Sequence, residues 1–377
     1  MSQPLRAGVV GLGWAGQQHM AAYAELPDVQ LVAIAGMEID QLQRLGQQYD
    51  TGQYASWQDL LAGAELDVVS IATPTSLHAP IAVAALEAGI HVLSEKPIAE
   101  NASAARTMVA AAKANDRVLE VSFNHRRRGD VAALKSVLDA QLLGRIYYAK
   151  AGWVRRQGIP GLDSWFTRAE LAGGGPLMDI GVHMLDMALY LLGEPAVTAV
   201  TASTYAEFGP RGKGGATSAL AGKTTAGGGS FDVEDLSTAF LRLADGVTLL
   251  LETSWAQWIE SDSCYLTLSG TDGGARLEWG GGPGSSSSLK IWTEVAGIPA
   301  ELEPSVPAHG GHRACVQDFL AEVRSGDQRY RGDEALARAV VVDACYASAR
   351  TRREVIFRTH SEFAHTAAAM ASRGSLT

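Results

Sequence analysis

The sequence predicts an α/β protein of two domains. The first is a parallel sheet with helices on both faces, and the second is an α+β domain on a large, open, mostly antiparallel sheet. Residues 1–124 alternate short apolar strands with helical segments, which is typical of a parallel sheet. After residue 124, strand-like runs between glycine-rich turns favour antiparallel pairing. We expect domains over residues 1–124 and 125–357, with helices from residue 312 packing back toward the first domain, and a flexible tail over 358–377.

The first predicted strand, residues 7–10, leads directly into a glycine-rich loop. The loop spells G-x-G-x-x-G as Gly11-Leu12-Gly13-Trp14-Ala15-Gly16, and a helix over residues 17–25 follows. In a dinucleotide site the three glycines make the turn, admit the pyrophosphate and bring the helix close to the sheet. Because the chain holds 41 glycines, a chance match in a simple tight turn is the alternative. The position between the first strand and the first helix favours the dinucleotide site.

Two later strands of the first domain end in polar segments. Residues 67–72 lead into a loop that contains Thr73, Pro74 and His78, and residues 91–94 lead into Glu95-Lys96-Pro97. Open α/β sheets bind ligands at the carboxyl ends of their strands, so we expect these loops to contact the cofactor. Lys96 is suited to bind a substrate hydroxyl; an ordinary ion pair at a strand end is the alternative.

The choice between NAD and NADP depends on the end of the second strand. NAD enzymes usually carry an acidic residue about 20 positions beyond the glycine motif. Gly36-Met37 occupies that place here, and Glu38 follows. A small residue leaves room for a 2′-phosphate, but no Arg or Lys follows before Arg44. We therefore favour NAD slightly, with Glu38 as the ribose ligand.

In the second domain, three glycines at residues 173–175 precede a helix that is predicted to run to Leu192. Asp179 and His183 are four residues apart and share one helix face, which Asp186 can flank. The rest of the helix is apolar, so these polar groups need partners if they are buried. A histidine titrates near neutral pH and suits proton transfer, whereas a satisfied His–Asp pair in the core is the alternative.

The glycine motif, Glu95-Lys96-Pro97 and the Gly174–Asp186 segment together resemble the glucose–fructose oxidoreductase / inositol dehydrogenase / rhizopine-catabolism (Gfo/Idh/MocA) family. The resemblance implies a Rossmann domain, an α+β domain whose sheet mediates homodimers or homotetramers, and NAD(P)-dependent oxidation or reduction of a sugar, inositol or polyol. It implies that Lys96 polarises the reacting hydroxyl, that His183 takes or returns its proton, and that Asp179 orients His183 or the substrate.

Other residues are expected to shape the substrate pocket. Arg155 and Arg156 enter a loop that contains Trp165, and such a mixture of aromatic and guanidinium groups suits a sugar or a sugar acid. A solvated loop is the alternative. Asn124 and Arg126 lie where the family places the domain junction and are further substrate-binding candidates.

Composition excludes several classes of protein. A formal net charge of −10 argues against nucleic-acid binding. The three cysteines form no C-x-x-C pair, which fits a reducing compartment, and we find no signal peptide or membrane-spanning run, so we expect a cytoplasmic protein. We predict no metal site and interpret His309-Gly-Gly-His312 as a loop turn.

Two other functions remain as alternatives. A redox-neutral glycosidase would oxidise a sugar hydroxyl with bound NAD, eliminate the aglycone and reduce the sugar again. A non-catalytic dinucleotide or sugar sensor would use the same fold without turnover.

Overall fold

The computed structural model describes residues 3–216, 231–280, 287–306, 310–326 and 331–357. The chain folds into two compact units: residues 1–124 with 310–336, and residues 125–309 with 337–377. The expected tail over residues 358–377 and His309 lie outside the described residues.

The regular elements are as follows. The strands are β1 (Leu5–Val10), β2 (Val29–Ala35), β3 (Gly52–Tyr54), β4 (Val68–Ile71), β5 (His91–Ser94), β6 (Leu119–Val121), β7 (Ile146–Val154), β8 (Val197–Tyr205), β9 (Leu236–Leu243), β10 (Thr248–Ser254), β11 (Ser263–Gly270), β12 (Gly273–Trp279), β13 (Ser287–Val295), β14 (Ile298–Leu302) and β15 (Val355–Ile356). The helices are α1 (Trp14–Glu25), α2 (Ile39–Tyr49), α3 (Trp57–Gly63), α4 (His78–Glu87), α5 (Ala102–Ala114), α6 (Gly129–Asp139), α7 (Ala169–Ala172), α8 (Val182–Leu191), α9 (Gly311–Ser325) and α10 (Asp333–Thr351).

The first unit is built on a six-stranded parallel sheet of order β3-β2-β1-β4-β5-β6. The residues of β4 are buried throughout, as are the last four of β1, because helices cover both faces of a parallel sheet. This confirms the Rossmann fold predicted from the alternation of strands and helices. The strand order reverses between β1 and β4, and ligands bind at the carboxyl ends of strands at such a switch point.

Helix α9 belongs to this first unit although it follows the second unit's sheet in the chain. Its residues Val316, Phe319 and Leu320 are buried in one apolar cluster with residues of α1, β1 and β2. The 3.6-residue period of these three positions places them on one face of the helix.

The second unit is built on a nine-stranded sheet of order β14-β13-β12-β11-β7-β10-β9-β8-β15. Every neighbouring pair is antiparallel except β7 and β10, which run parallel with Ser254 opposite Val154. β11 alternates half-buried and buried residues, as a sheet with one covered face requires. The prediction of a mostly antiparallel sheet is confirmed, while β12 and β14 were not predicted.

The glycine-rich segment before α8 does not start a regular α-helix. Residues Leu177–Gly181 form a π-helical turn, and α8 follows from Val182. Such turns occur frequently at functional sites. Among the described residues, no helix is both long enough and apolar enough to cross a membrane.

Candidate functional site

The glycine loop of the first unit has the close approaches that a dinucleotide motif requires. Gly11 has a φ of +104°, and a Cβ there would lie 2.1 Å from the carbonyl oxygen of Ala72. A Cβ on Gly16 would lie 2.0 Å from the carbonyl oxygen of Gly11. By contrast, a Cβ on Gly13 would meet no atom within 4 Å. Gly13 precedes α1 in open space, so the amides at the helix N-terminus are accessible to a phosphate group, and the loop fits a dinucleotide.

Glu38 lies at the end of β2, beside the glycine loop. Its Oε2 is 3.4 Å from the position that a Cβ on Gly36 would occupy, and the side chain of Leu12 fills the other side of that position. Glu38 also accepts, through its backbone carbonyl, the amide of Leu42 in the first turn of α2 at 2.8 Å. Trp14 and Met37 are exposed nearby in the chain. A carboxylate therefore stands at the strand end where NAD enzymes hold the adenosine ribose.

The loop after β4 is tied to the segment after β5 by His78. Its Nδ1 is 2.9 Å from the carbonyl oxygen of Pro97, and its Nε2 is 3.0 Å from that of Thr73. Burial lowers the pKa of His78, so its ring is neutral and donates to one of these carbonyls. Thr73 also donates its hydroxyl to the carbonyl of Pro74 at 3.3 Å. His78 holds the two loops together, and its contact with a cofactor stays a prediction.

Glu95 is the centre of a buried polar cluster at the end of β5. His19 Nε2 lies 3.0 Å from Glu95 Oε1, and His312 Nε2 lies 3.5 Å from the same oxygen. His19 Nδ1 is 2.9 Å from the hydroxyl of Ser70, which is also 2.9 Å from that of Tyr23. The backbone amide of the next residue, Lys96, donates to Glu95 Oε2 at 3.2 Å.

The environment of Glu95 keeps its carboxylate ionised. Burial alone would raise the pKa of Glu95, but the hydrogen bond from His19 and the positive charges of His312, His19 and Lys96 lower it to about 2. Sequence reasoning missed both histidines. His19 sits three residues beyond Gly16 on the buried face of α1, a signal that was available, whereas nothing in the sequence joins His312 to Glu95.

In the second unit, Glu234 holds the start of the π-helical turn. Its carboxylate accepts the backbone amides of Gly175 at 3.0 Å and Leu177 at 3.1 Å, and the hydroxyl of Tyr346 at 2.9 Å. Burial raises the pKa of Glu234 although these three hydrogen bonds lower it in part. This residue was also missed by sequence reasoning, because it is far from the turn in the chain. It fixes the segment that carries Asp179.

Asp179 and His183 have different neighbours. The indole Nε1 of Trp255 donates to Asp179 Oδ2 at 2.9 Å. The ring of His183 lies 4.6 Å from that of His125 and 6.1 Å from that of Trp153. Asp179 is half-buried and His183 is buried with 8% of its surface exposed. The helix segment thus presents a carboxylate held by an indole and an imidazole set among aromatic rings.

Asp186, one turn beyond His183, is part of a buried ion-pair network. Arg126 donates from Nε to Asp186 Oδ2 at 2.7 Å, and Arg338 donates from Nε to Oδ1 at 3.0 Å. Arg338 also binds Glu194 through two contacts of 2.6 and 2.7 Å. Two guanidinium groups and two carboxylates therefore balance in charge. Asp186 does not join Asp179 and His183, and Arg126 is engaged in this network.

The remaining predicted substrate residues of the second unit are separated. Arg155 lies over the ring of Trp153 at 5.1 Å, which places it one residue from the surroundings of His183. Arg156 is exposed, with its amide bound to Asp262 and its guanidinium to the carbonyl of Glu260. Trp165 stacks on Phe166 at 3.8 Å in a short 3₁₀ turn. Asn124, the last residue of the first unit's N-terminal segment, is half-buried and starts another such turn.

Comparison with known proteins agrees with this arrangement. Residues 5–123 match the family model described as "Oxidoreductase family, NAD-binding Rossmann fold", and residues 131–276 match the "GFO/IDH/MocA C-terminal domain". A protein of Escherichia coli (strain K12) named D-glucoside 3-dehydrogenase is 37% identical over 281 residues, which cover 73% of this chain and 78% of that protein. The chain belongs to the Gfo/Idh/MocA family.

A second relative and a solved structure extend the comparison. The levoglucosan dehydrogenase of Pseudarthrobacter phenanthrenivorans (strain DSM 18606 / JCM 16027 / LMG 23796 / Sphe3) is 32% identical over 289 residues, covering 72% of this chain and 73% of that protein. A structure of levoglucosan dehydrogenase in complex with NADH and L-sorbose superposes with a TM-score of 0.81 at 24% identity, covering 94% of this chain and 99% of that one. The protein is therefore an oxidoreductase with an NAD-binding Rossmann fold, as predicted.

Proposed function

We propose that this oxidoreductase is an NAD-dependent dehydrogenase that oxidises a secondary ring hydroxyl of a glucose-derived sugar, with the C3 hydroxyl of a D-glucoside as the first choice. The observation that carries the proposal is the π-helical turn and α8 in the second unit. They hold Asp179 on the indole of Trp255 and place His183 four residues later. The names of the two relatives, a D-glucoside 3-dehydrogenase and a levoglucosan dehydrogenase, support a sugar as the substrate.

The proposal assigns the proton to this chain's own side chains. Lys96 donates a hydrogen bond to the reacting hydroxyl and favours its oxyanion, and the neutral imidazole of His183 accepts the proton as the general base. Asp179, itself held by the N–H of Trp255, orients the imidazole or a substrate hydroxyl. When bound, the nicotinamide supplies a hydride acceptor. The protein's contribution is placement and proton transfer.

We further propose that NAD is preferred over NADP. Glu38 beside Gly36 offers a carboxylate to the adenosine ribose hydroxyls. The same negative charge would repel a 2′-phosphate, and Arg44 is bound to Gln48 at 3.4 Å instead of facing the strand end. The assignment of Glu38 as the ribose ligand is kept for this reason.

The proposal keeps two further expectations. We infer a homodimer or homotetramer through the second unit's sheet, because its outer face carries a row in which Leu250 pairs with Phe240 and Lys150, and Leu250 is 37% exposed. We also infer a cytoplasmic location, since Cys264, Cys315 and Cys345 are buried free thiols. Sedimentation of the purified protein tests the first and localisation of a tagged chain the second.

The test is a spectrophotometric assay of nicotinamide reduction with purified protein, NAD or NADP, and a panel of D-glucosides, free sugars, anhydrosugars and inositols. We expect reduction of NAD with a glucoside, and a loss of at least ~100-fold in kcat for Lys96→Ala and for His183→Asn. Lys113→Ala is the matched control, because Lys113 pairs with Asp333 on the surface and should leave kcat unchanged.

Other results would replace the proposal. Undiminished turnover in both variants would contradict the assignment of the two residues. A glycoside consumed without net NADH would identify a redox-neutral glycosidase. Tight cofactor binding with no turnover on any substrate would identify a sensor.

A further inference from the structure

His312 lies at the start of α9, in the segment that returns to the first unit after the second unit's sheet. Its ring is 5.1 Å from that of Trp14 at an interplanar angle of 85°, an edge-to-face contact. Its Nε2 is 3.5 Å from Glu95 Oε1, and its side chain is 10% exposed. One nearly buried side chain therefore contacts two residues that are far apart in the sequence.

Both contacts lead to the dinucleotide site. Trp14 is the first residue of α1, directly after Gly13, where the loop opens to a phosphate group. Glu95 precedes Lys96 and accepts its backbone amide at 3.2 Å. A shift of Glu95 would thus move the backbone that carries Lys96, and a shift of Trp14 would move the start of α1.

The charge of Glu95 explains why a second imidazole is needed there. Glu95 is 7% exposed, and a buried carboxylate is unstable without partners that carry or donate positive charge. His19 supplies one such partner at 3.0 Å, on the same Oε1 that faces His312. With His312 the carboxylate has an imidazole from α1 and another from α9, which anchors the end of β5 from two elements.

We propose that His312 is a positioning residue of the dinucleotide site, which fixes Glu95 and the ring of Trp14 and thereby strengthens the binding of NAD and NADH. A divalent metal held by the three side chains is the competing explanation, since their ligand atoms all lie within 4.8 Å of one another. The hydrogen-bonded arrangement is favoured because 3.0 Å between His19 Nε2 and Glu95 Oε1 is an ordinary hydrogen-bond length. The proposal concerns cofactor binding and is independent of which sugar the enzyme oxidises.

The experiment measures the dissociation constant of NADH by calorimetry, without any sugar, for the full chain and four variants. His312→Ala removes both contacts, and we expect affinity to fall about tenfold, the size of one lost contact to a charged group. His312→Phe keeps the ring against Trp14, and His312→Gln keeps an N–H toward Glu95. Each should recover part of the loss. Arg313→Ala is the control, because Arg313 is on the same helix turn and pairs with Glu25 on the surface at 2.7 Å.

Melting temperatures of all variants separate unfolding from weaker binding, and if His312→Ala fails to fold, the Phe and Gln variants carry the test. Three results would overturn the proposal. The first is an NADH affinity of the His312 variants within about twofold of the unchanged protein. The second is an equal loss in Arg313→Ala, which would assign the effect to helix packing. The third is one equivalent of zinc in the purified protein that is absent from His312→Ala, which would make the cluster a metal site.

Discussion

Replacement of Asp186 by asparagine tests how much the buried ion-pair network of the second unit contributes to stability. Asp186 is 1% exposed and accepts N–H groups from Arg126 at 2.7 Å and from Arg338 at 3.0 Å. Asparagine keeps the shape and one acceptor oxygen but removes the negative charge. Two guanidinium groups then share the single carboxylate of Glu194.

The magnitude follows from the loss of one partner in a buried pair. Breaking such a pair typically costs about 3–5 kcal/mol, because a charge stays buried without compensation. Since asparagine retains one hydrogen bond, we expect the lower end, about 3 kcal/mol. For a domain of this size each kcal/mol shifts the melting temperature by about 2–4 °C, which gives a decrease of about 6–12 °C.

The assay is thermal unfolding followed by circular dichroism, with urea unfolding for the free energy. Asp333→Asn is a matched control: Asp333 also accepts an ion pair of 2.7 Å, from Lys113, but its side chain is 59% exposed. An exposed pair contributes less than about 1 kcal/mol, so its melting temperature should change little. Equal shifts in the two variants would refute the argument that burial sets the contribution.

Three further predictions concern the site. Gly16→Ala should abolish cofactor binding and lower stability, because the new Cβ would meet the preceding turn at 2.0 Å; NADH titration and a melting curve check this. Trp255→Phe removes the hydrogen bond to Asp179 and should lower kcat about tenfold with little change in the KM for NAD, as steady-state kinetics would show. Glu95→Gln should destabilise the protein by about 3 kcal/mol at neutral pH, since the folded pKa of about 2 is below the unfolded value. That deficit should shrink as pH falls from about 4.5 toward 2 in urea titrations.

Local patterns in the sequence were sufficient to predict much of the first unit. The glycine loop, the polar ends of β4 and β5, and the alternation of strands and helices are all encoded within a few residues of each other. The same holds for Asp179 and His183, whose spacing on one segment is visible without a structure. Short-range periodicity and turn chemistry carry this information.

What the sequence could not predict depends on contacts between distant residues. β12 starts with two glycines and was hidden within a turn-like stretch, although it pairs with both β11 and β13. The π-helical turn exists because Glu234 accepts amides from a segment far earlier in the chain. His312 was interpreted as a turn residue because its neighbours in sequence say nothing of Glu95. Long-range polar contacts of this kind have no periodic signal.

The return of α9 to the first unit has a consequence for synthesis on the ribosome. Val316, Phe319 and Leu320 complete an apolar cluster whose other members come from residues 7–118. At about 5–20 residues per second, the roughly 190 residues between Asn124 and α9 take on the order of 10–40 s to make. During that interval the nascent Rossmann sheet lacks one covering helix and exposes apolar side chains. The enzyme should therefore depend on chaperones during translation more than a protein whose nucleotide-binding domain is contiguous in the chain.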